Sequence, residues 1–296
     1  MTLGDRHIFC FGLGYSVRAL LPQLMASGMR VSGTVRCEAR AADWQAQGVA
    51  AHVFDGTAPL PEEALAGVTD ILVSVPPGRF GCPAFLANRA RLVRLPGLVW
   101  IGYLSSTAVY GDCGGAWINE SRSVAPQSAD ALGRVAAERA WSALARHRGA
   151  AIDLLRISGI YGPGRSVFDQ LRRGGARAIV KPGQVFNRIH VEDIAGAILS
   201  AIHLPAGRRI LNLADGWPAA SSEVLAHAAT LLGLPPPPEV PLEEAGLPPA
   251  MAAFYAENRR ILNGRLRALP GFALRYPDHH AGLAAILEAE RRAQAA

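Results

Sequence analysis

A pair of glycines near the start of the chain constrains its fold more than any other feature. The apolar, β-prone run His7–Phe11 leads directly into Gly12-Leu13-Gly14, and Tyr15–Ala26 then carries apolar residues at helical spacing. Gly12 permits a tight turn, and Gly14 lets a bound group approach the backbone where the helix begins. A strand, a glycine turn and a helix in this order predict a fold built around a phosphate-binding turn.

Predicted strands and helices alternate along the chain after this turn. The strands are predicted at Val31–Val35, Val49–Phe54, Asp70–Val75, Leu98–Leu104, Ala151–Ile157, Asn187–His190 and Arg209–Leu213. The helices are predicted at Ala39–Ala46, Ala129–Arg146, Val191–His203 and Ser221–Leu232, and from Pro241 onward as helix interrupted at prolines. This alternation indicates an α/β fold with a doubly wound parallel sheet of the Rossmann type.

The same pattern divides the chain into two predicted lobes. The length of 296 residues fits two domains, or one α/β domain with a lobe attached. We expect a dinucleotide-binding domain over residues 1–160, with a return of the chain into it near 187–215. Residues 161–186 and 216–296 are expected to form a smaller C-terminal substrate lobe, because the pattern loosens after Gly164. A ligand should then lie in the crevice at the carboxyl ends of the strands.

Composition and charge exclude several classes of protein. A chain that is 50% hydrophobic and 18% charged is not expected to be disordered. The net charge is +6, but the arginines are spread among acidic residues, so we expect no nucleic-acid partner. No run of about 18 apolar residues occurs, and the first apolar run is too short for a secretory signal. We therefore expect no membrane span and a cytoplasmic location.

Cysteine and lysine usage restricts the chemistry further. The cysteines, which are Cys10, Cys37, Cys82 and Cys113, form no C-x-x-C pair, so we predict neither a redox dithiol nor a metal site. Lys181 is the only lysine among the 30 Lys and Arg residues. A mechanism that requires a catalytic lysine must therefore use Lys181.

The glycine turn and the end of a later strand supply the predicted nucleotide-binding residues. Backbone N–H groups where a helix begins suit a pyrophosphate, so we assign this role to Gly12, Leu13, Gly14, Tyr15 and Ser16. The Asp70–Val75 strand ends at the same ligand-binding edge of the predicted sheet. We therefore add Ser74, Val75 and Pro76 to the predicted nucleotide site.

The end of the second predicted strand favours NADP over NAD. An Asp or Glu at this point would accept hydrogen bonds from the adenosine ribose of NAD. Val35 or Arg36 occupies that position here, and Arg40 follows one helical turn later. A guanidinium suits a 2′-phosphate by its charge and by its forked donors. Glu38 keeps NAD open as the alternative cofactor.

Several further segments share a pattern with a known family. Residues 104–112 read Leu-Ser-Ser-Thr-Ala-Val-Tyr-Gly-Asp, residues 155–164 read Leu-Arg-Ile-Ser-Gly-Ile-Tyr-Gly-Pro-Gly, and between them stand Glu120, Pro126 and Glu138. Together with residues 189–195 and 210–216, they resemble the extended short-chain dehydrogenase/reductase superfamily, also called the NAD-dependent epimerase/dehydratase family. The resemblance implies a dinucleotide cofactor, oxidoreductase or epimerase chemistry, and a catalytic hydroxyl at Ser106.

The predicted active-site helix departs from the family pattern. The family places a tyrosine there as the acid/base, and a lysine four residues later that lowers its pKa and holds the nicotinamide ribose. Asp130 takes the tyrosine position in this chain, and Arg134 takes the lysine position. The resemblance then implies that Ser106 orients a carbonyl or hydroxyl and that Arg134 binds the ribose. Asp130 would act as a base only if burial raised its pKa.

Two functions are therefore open from the sequence. The first is an NADP-dependent oxidoreductase or epimerase that acts on a small or sugar-like substrate with non-standard acid/base residues. The alternative is a non-catalytic NADP-binding redox sensor or regulatory protein, which the missing tyrosine–lysine pair favours. The predicted ligands are a dinucleotide and a small-molecule substrate, and we make no prediction of the oligomeric state.

Overall fold

Short apolar runs separated by helical segments give this chain its layered architecture, which the computed structural model describes for residues 2–295. In chain order the strands are β1 (His7–Phe11), β2 (Arg30–Val35), β3 (Ala50–Val53), β4 (Asp70–Val73), β5 (Trp100–Ser106), β6 (Trp117–Ile118), β7 (Ala151–Ile157), β8 (Gly159–Tyr161), β9 (Ala178–Val180), β10 (Arg188–His190), β11 (Arg208–Leu213), β12 (Glu239–Pro241) and β13 (Arg260–Ile261). The helices are α1 (Tyr15–Ala26), α2 (Glu38–Gln45), α3 (Pro83–Arg94), α4 (Ala129–Arg148), α5 (Phe168–Arg172), α6 (Val191–Ala201), α7 (Ser221–Leu231), α8 (Pro249–Ala252), α9 (Gly264–Arg267) and α10 (His279–Ala295).

The central sheet has seven strands in the order β11-β7-β5-β4-β1-β2-β3. Every neighbouring pair in this sheet is parallel. From β1 the chain winds outward through β2 and β3, and it then crosses back to β4 on the other side of β1. The carboxyl ends of β1 and β4 thus flank the switch point at which open α/β sheets bind ligands. The predicted doubly wound parallel fold is confirmed.

Both faces of the sheet are covered, as the side chains of β1 illustrate. Ile8 and Cys10 pack into one hydrophobic cluster with α1 and α6, whereas Phe9 and Phe11 pack into another with α3 and α4. Successive side chains of a strand point to opposite faces, and every residue of β1 is buried. An uninterrupted apolar run is the expected sequence of a parallel strand that is buried on both sides.

A separate hydrophobic cluster joins α5, α7 and α10 away from the central sheet, with Phe168, Leu225 and Ile286 among its members. Beside it, β9 pairs in parallel with β12. The chain returns to the central sheet at β11, which pairs with β7. The residue limits of the two lobes stay a prediction. Within residues 2–295 no helix combines the length and the apolar character that crossing a bilayer requires.

Candidate nucleotide-binding and active site

The turn between β1 and α1 lies at the switch point and admits only glycine at its first position. Gly12 has a φ of +94°, a value that L side chains rarely adopt. A Cβ atom on Gly12 would lie 2.7 Å from Ser74 Oγ and 3.0 Å from Val75 Cγ1. The structure thus brings the predicted residues Gly12, Ser74 and Val75 together where β1 and β4 end.

Hydrogen bonds from β2 and β4 fix the shape of this turn. Gly12 N donates to Thr34 Oγ1 at 2.8 Å, and Leu13 N donates to the backbone oxygen of Thr34 at 2.8 Å. On the other side, Ser74 Oγ donates to Gly12 O at 2.6 Å. The Ser74 hydroxyl therefore braces the turn. Pro76, the third residue predicted at the end of β4, is exposed.

The first N–H groups of α1 stay free beyond the braced turn. The N–H groups of Gly14, Tyr15 and Ser16 donate to no acceptor within the described residues. Gly14 is exposed, and no heavy atom of the described chain lies within 4 Å of an ideal Cβ at this position. Free N–H groups at the positive end of a helix attract anions. This part of the site can therefore hold a pyrophosphate against the backbone.

The Tyr15 side chain ties the glycine turn to the loop that follows β8. Its hydroxyl donates to Pro163 O at 2.9 Å, and the Arg165 guanidinium lies 5.7 Å from the ring centre. Burial raises the pKa of Tyr15, while the positive charge of Arg165 acts in the opposite direction. A Cβ on Gly162 would lie 2.6 Å from the Tyr15 hydroxyl. The side chain of Tyr15 is thus structural, and only its free backbone N–H is available to a ligand.

The predicted phosphate-binding arginines follow β2. Arg36 comes directly after the buried Val35, and Arg40 lies in the first turns of α2. Both arginines are exposed, and neither forms a hydrogen bond or an ion pair within residues 2–295. Glu38 is also exposed and begins α2. The two guanidinium groups are therefore available to a ligand at the carboxyl end of β2.

The three predicted catalytic residues lie at the end of β5 and in the first two turns of α4. Ser106 Oγ accepts from Ala108 N at 3.1 Å and caps a short 3₁₀ turn. Arg134 Nε donates to Asp130 Oδ2 at 3.4 Å, and the Asp130 side chain is 63% exposed. Such exposure removes the burial that base catalysis by Asp130 requires. Ser106 shares no hydrogen bond with Asp130 or Arg134 in the described part of the chain.

Gly133, which the sequence analysis missed, joins the active-site helix to the nucleotide site. A Cβ on Gly133 would lie 2.8 Å from Gly78 O and 3.4 Å from Pro77 Cβ. The loop after β4 therefore packs directly on α4 between Asp130 and Arg134. The available signal in the sequence was the glycine itself, which lies three residues after Asp130 and one residue before Arg134.

A buried polar network lies behind Ser106 and links β5, α4, β7 and β11. Glu138 accepts from Ser105 Oγ at 2.7 Å and from two Arg156 nitrogens at 3.0 and 2.8 Å. The Arg156 guanidinium also lies 4.8 Å from the centre of the Tyr110 ring. The Tyr110 hydroxyl donates to Asn212 Oδ1 at 2.8 Å, and burial raises the pKa of Tyr110. Tyr110 is thus held in the core as a structural residue.

Lys181, the single lysine of the sequence, and the buried Tyr103 both lie outside α4. Lys181 follows β9 and donates from Nζ to the backbone oxygen of Tyr255. Tyr103 on β5 is fully buried, and its hydroxyl has no hydrogen-bond partner in residues 2–295. Burial raises the pKa of Tyr103, and the charge of Arg134 opposes that effect. Because Tyr103 is buried, its hydroxyl cannot contact a substrate in this arrangement.

Part of the chain matches a known family. Residues 92–214, which include Ser106 and α4, match the model of the NAD dependent epimerase/dehydratase family. Over these residues the chain is similar to that family. Its central sheet and its glycine turn after β1 agree with this similarity.

Two proteins are similar to this chain over most of its length. A functionally unknown conserved protein from Silicibacter pomeroyi DSS is 39% identical, with a TM-score of 0.89 over 96% of this chain and 99% of that one. Protein YeeZ of Escherichia coli (strain K12) is 27% identical over an alignment of 252 residues, and the match covers 76% of this chain and 84% of YeeZ.

Two more distant structures share the fold and contain dinucleotides. MoeE5 in complex with UDP-glucuronic acid and NAD has a TM-score of 0.74 and 19% identity, over 97% of this chain and 99% of that one. Human epimerase family protein SDR39U1 with NADPH has a TM-score of 0.72 and 19% identity, over 96% and 99%. At this identity, the likeness is one of fold.

Proposed function

We propose that this chain binds a nicotinamide dinucleotide, with its pyrophosphate on the free N–H groups of Gly14, Tyr15 and Ser16. This group of unpaired donors at the switch point is the observation that carries the proposal. The open space in front of Gly14 gives a phosphate room to reach the backbone. The NAD of MoeE5 and the NADPH of the human protein, both on the same fold, support the proposal.

NADP is the proposed form of the cofactor. Arg36 and Arg40 are exposed where the adenosine ribose lies in this fold, and neither is paired with another residue of the described chain. A 2′-phosphate would give these two guanidinium groups the negative charge and the hydrogen-bond acceptors that they lack here. Glu38 begins α2 between the two arginines and is the one acidic group that would favour the ribose hydroxyls of NAD.

The proposed reaction is an oxidoreductase or epimerase reaction on a small or sugar-like substrate. A bound dinucleotide would supply hydride transfer at its nicotinamide. Ser106 would orient a carbonyl or hydroxyl of the substrate, and Arg134 would bind ribose hydroxyls as a cation. Asp130 takes the position of the family's acid/base tyrosine, so the acid/base chemistry would differ from that of the family pattern.

A second function is favoured by the state of Asp130. Its side chain is 63% exposed and paired with Arg134, so it is not enclosed in a pocket that would hold a substrate against it. A chain that keeps the nucleotide site without a tuned acid/base group can act as an NADP-binding redox sensor or regulatory protein. Nucleotide binding is common to both functions, and turnover separates them.

Calorimetric titration of the purified chain with NADP and with NAD tests the nucleotide binding that both functions share. A crystal structure with the more tightly bound nucleotide then shows where it binds. We expect NADP to bind more tightly and to contact Arg36. Mixing the NADPH complex with panels of keto compounds and sugar nucleotides then tests the reaction through loss of NADPH absorbance. Oxidation of NADPH by one substrate class supports the enzyme, and a stable complex across the panel supports the regulatory protein. Failure of both nucleotides to bind contradicts both functions.

A further inference from the structure

Four side chains with metal-binding chemistry meet between α7 and α10. Glu223 and His227 come from α7, and His279 and His280 begin α10. We call these four residues the α7–α10 histidine cluster. The ring centres of His279 and His280 lie 4.1 Å apart, and those of His227 and His280 lie 4.2 Å apart. One donor atom each of Glu223, His279 and His280 falls within 4.8 Å of the others.

The polar atoms of this cluster lack partners. His279 is 1% exposed, and both of its ring nitrogens are buried without a hydrogen bond to any described residue. The Nε2 atom of His227 is also buried and unpartnered within residues 2–295. Buried polar groups in folded proteins nearly always have a partner. Three such nitrogens lie on His227 and His279, whose ring centres are 5.9 Å apart, and they indicate a ligand that the two rings share.

We propose that the α7–α10 histidine cluster is a binding site for one divalent transition-metal ion of the zinc type. Glu223 and His227 are four residues apart, so they lie on one face of α7, opposite the start of α10. The four groups supply three imidazoles and one carboxylate, a donor set that suits tetrahedral Zn²⁺. Imidazole also binds Ni²⁺ and Cu²⁺, whereas Mg²⁺ and Ca²⁺ prefer oxygen ligands.

Small side-chain rotations would complete the site. Donor atoms around a tetrahedral zinc lie about 3.4 Å apart, given bonds of about 2.1 Å. Glu223 and His280 are exposed, so their side chains can move toward the buried His279 without disturbing the core. A bound ion would fasten α10 to α7, which already share the cluster of Leu225 and Ile286. The proposed site is therefore structural.

Calorimetric titration of the tag-free, EDTA-treated chain with ZnCl₂, without nucleotide, tests this site. We expect about one Zn²⁺ per chain and a rise in melting temperature on binding. Glu223→Gln and His280→Ala alter exposed residues and should fold, and each should weaken Zn²⁺ at least tenfold. His203→Ala, at an exposed histidine after α6, is the matched control and should bind like the unmodified chain.

Two outcomes would overturn the proposal. The first is the absence of stoichiometric Zn²⁺ binding by the unmodified chain. The second is binding that His280→Ala and Glu223→Gln leave unchanged, or that His203→Ala weakens equally, since the ion would then lie elsewhere. Co²⁺ supplies an independent readout, because a tetrahedral histidine site gives it visible absorption bands that the His280→Ala variant should lose.

Discussion

At the scale of single residues, the proposed preference for NADP rests on the charge after β2. Arg36 is exposed and has no partner in the described chain, so its interaction with a 2′-phosphate would replace no existing contact. A hydrogen bond to a charged group contributes about 1.5–3 kcal/mol. We therefore expect Arg36→Ala to weaken NADP by roughly tenfold or more and to leave NAD nearly unchanged, as measured by calorimetry.

Arg146→Ala is the matched control for this prediction, because Arg146 is exposed in the last turn of α4 and belongs to no predicted site. It should change neither affinity. Equal affinity of the unmodified chain for NADP and NAD would count against the proposed preference and would move the interpretation to Glu38.

Asp130 and Arg134 give a second prediction at the residue scale. If Arg134 holds ribose hydroxyls, Arg134→Ala should weaken nucleotide binding severalfold. Asp130→Asn should leave binding little changed, because its exposed carboxylate contributes only a weak ion pair on α4. Slow or absent turnover of ordinary keto and sugar-nucleotide substrates is expected, since acid/base matching near neutral pH is commonly worth about 10²–10⁴-fold in rate. Brisk hydride transfer that Asp130→Asn abolishes would instead make Asp130 the catalytic base.

At the scale of elements, the buried pair of Glu138 and Arg156 connects α4 to β7. Both side chains are about 95% buried, with exposures of 5% and 4%. Removing one partner of such a pair leaves an uncompensated charge, which costs about 3–5 kcal/mol. We expect Glu138→Gln to lower the free energy of unfolding by about this amount. Urea denaturation measures it, and Glu239→Gln at an exposed position should change stability by less than about 0.5 kcal/mol.

The elements differ in how far the sequence alone could predict them. The helix predicted at Tyr15–Ala26 matches α1, because its cap and its apolar spacing are local features. The helix α3, from Pro83, was not predicted. The prediction of helix from Pro241 onward was wrong for β13, whose two residues pair with Trp117–Ile118 in β6. Strands this short depend on a partner far away in the chain, so local periodicity cannot indicate them.

The residues of the candidate site also differ in how far the sequence alone could predict them. Gly12 and Gly14 carry a local signal in the sequence. Gly12 has a φ of +94°, which favours glycine, and Gly14 stands where α1 begins. The bracing of the turn by Thr34 and Ser74 depends on three strands meeting, which no spacing in the sequence indicates. The α7–α10 histidine cluster could not be predicted for the same reason, because its residues come from two helices that only folding brings together.

At the scale of the whole molecule, buried carboxyl groups make stability depend on pH. Burial raises the pKa of Asp215 from 3.8 to about 7. Between these values the folded chain keeps a proton that the unfolded chain has released, so this group lowers stability as pH rises from about 4 to about 7. Asp215→Asn removes that dependence and can keep the hydrogen bond from Trp217 N.

We therefore expect Asp215→Asn to gain stability relative to the unmodified chain as pH rises from 4 to 8, by on the order of 2 kcal/mol. Urea denaturation at a series of pH values measures the difference. Asp43→Asn, at an exposed position, should show no such trend. A difference for Asp215→Asn that is constant with pH would contradict the burial of a protonated carboxyl group in the folded chain.

Nucleotide binding at the start of α1 is the central claim, and Gly14→Asp tests it most directly. An aspartate suits the N-cap position of a helix and accepts from its first N–H groups, so this variant should fold at least as well as the unmodified chain. The same carboxylate competes with a pyrophosphate for those N–H groups and repels it. Gly264→Asp, at an exposed glycine that begins α9 and has no atom within 4 Å of its ideal Cβ, is the matched control. Calorimetry with NADP should show binding lost in Gly14→Asp and kept in Gly264→Asp, whereas unchanged affinity in a folded Gly14→Asp variant would contradict the account.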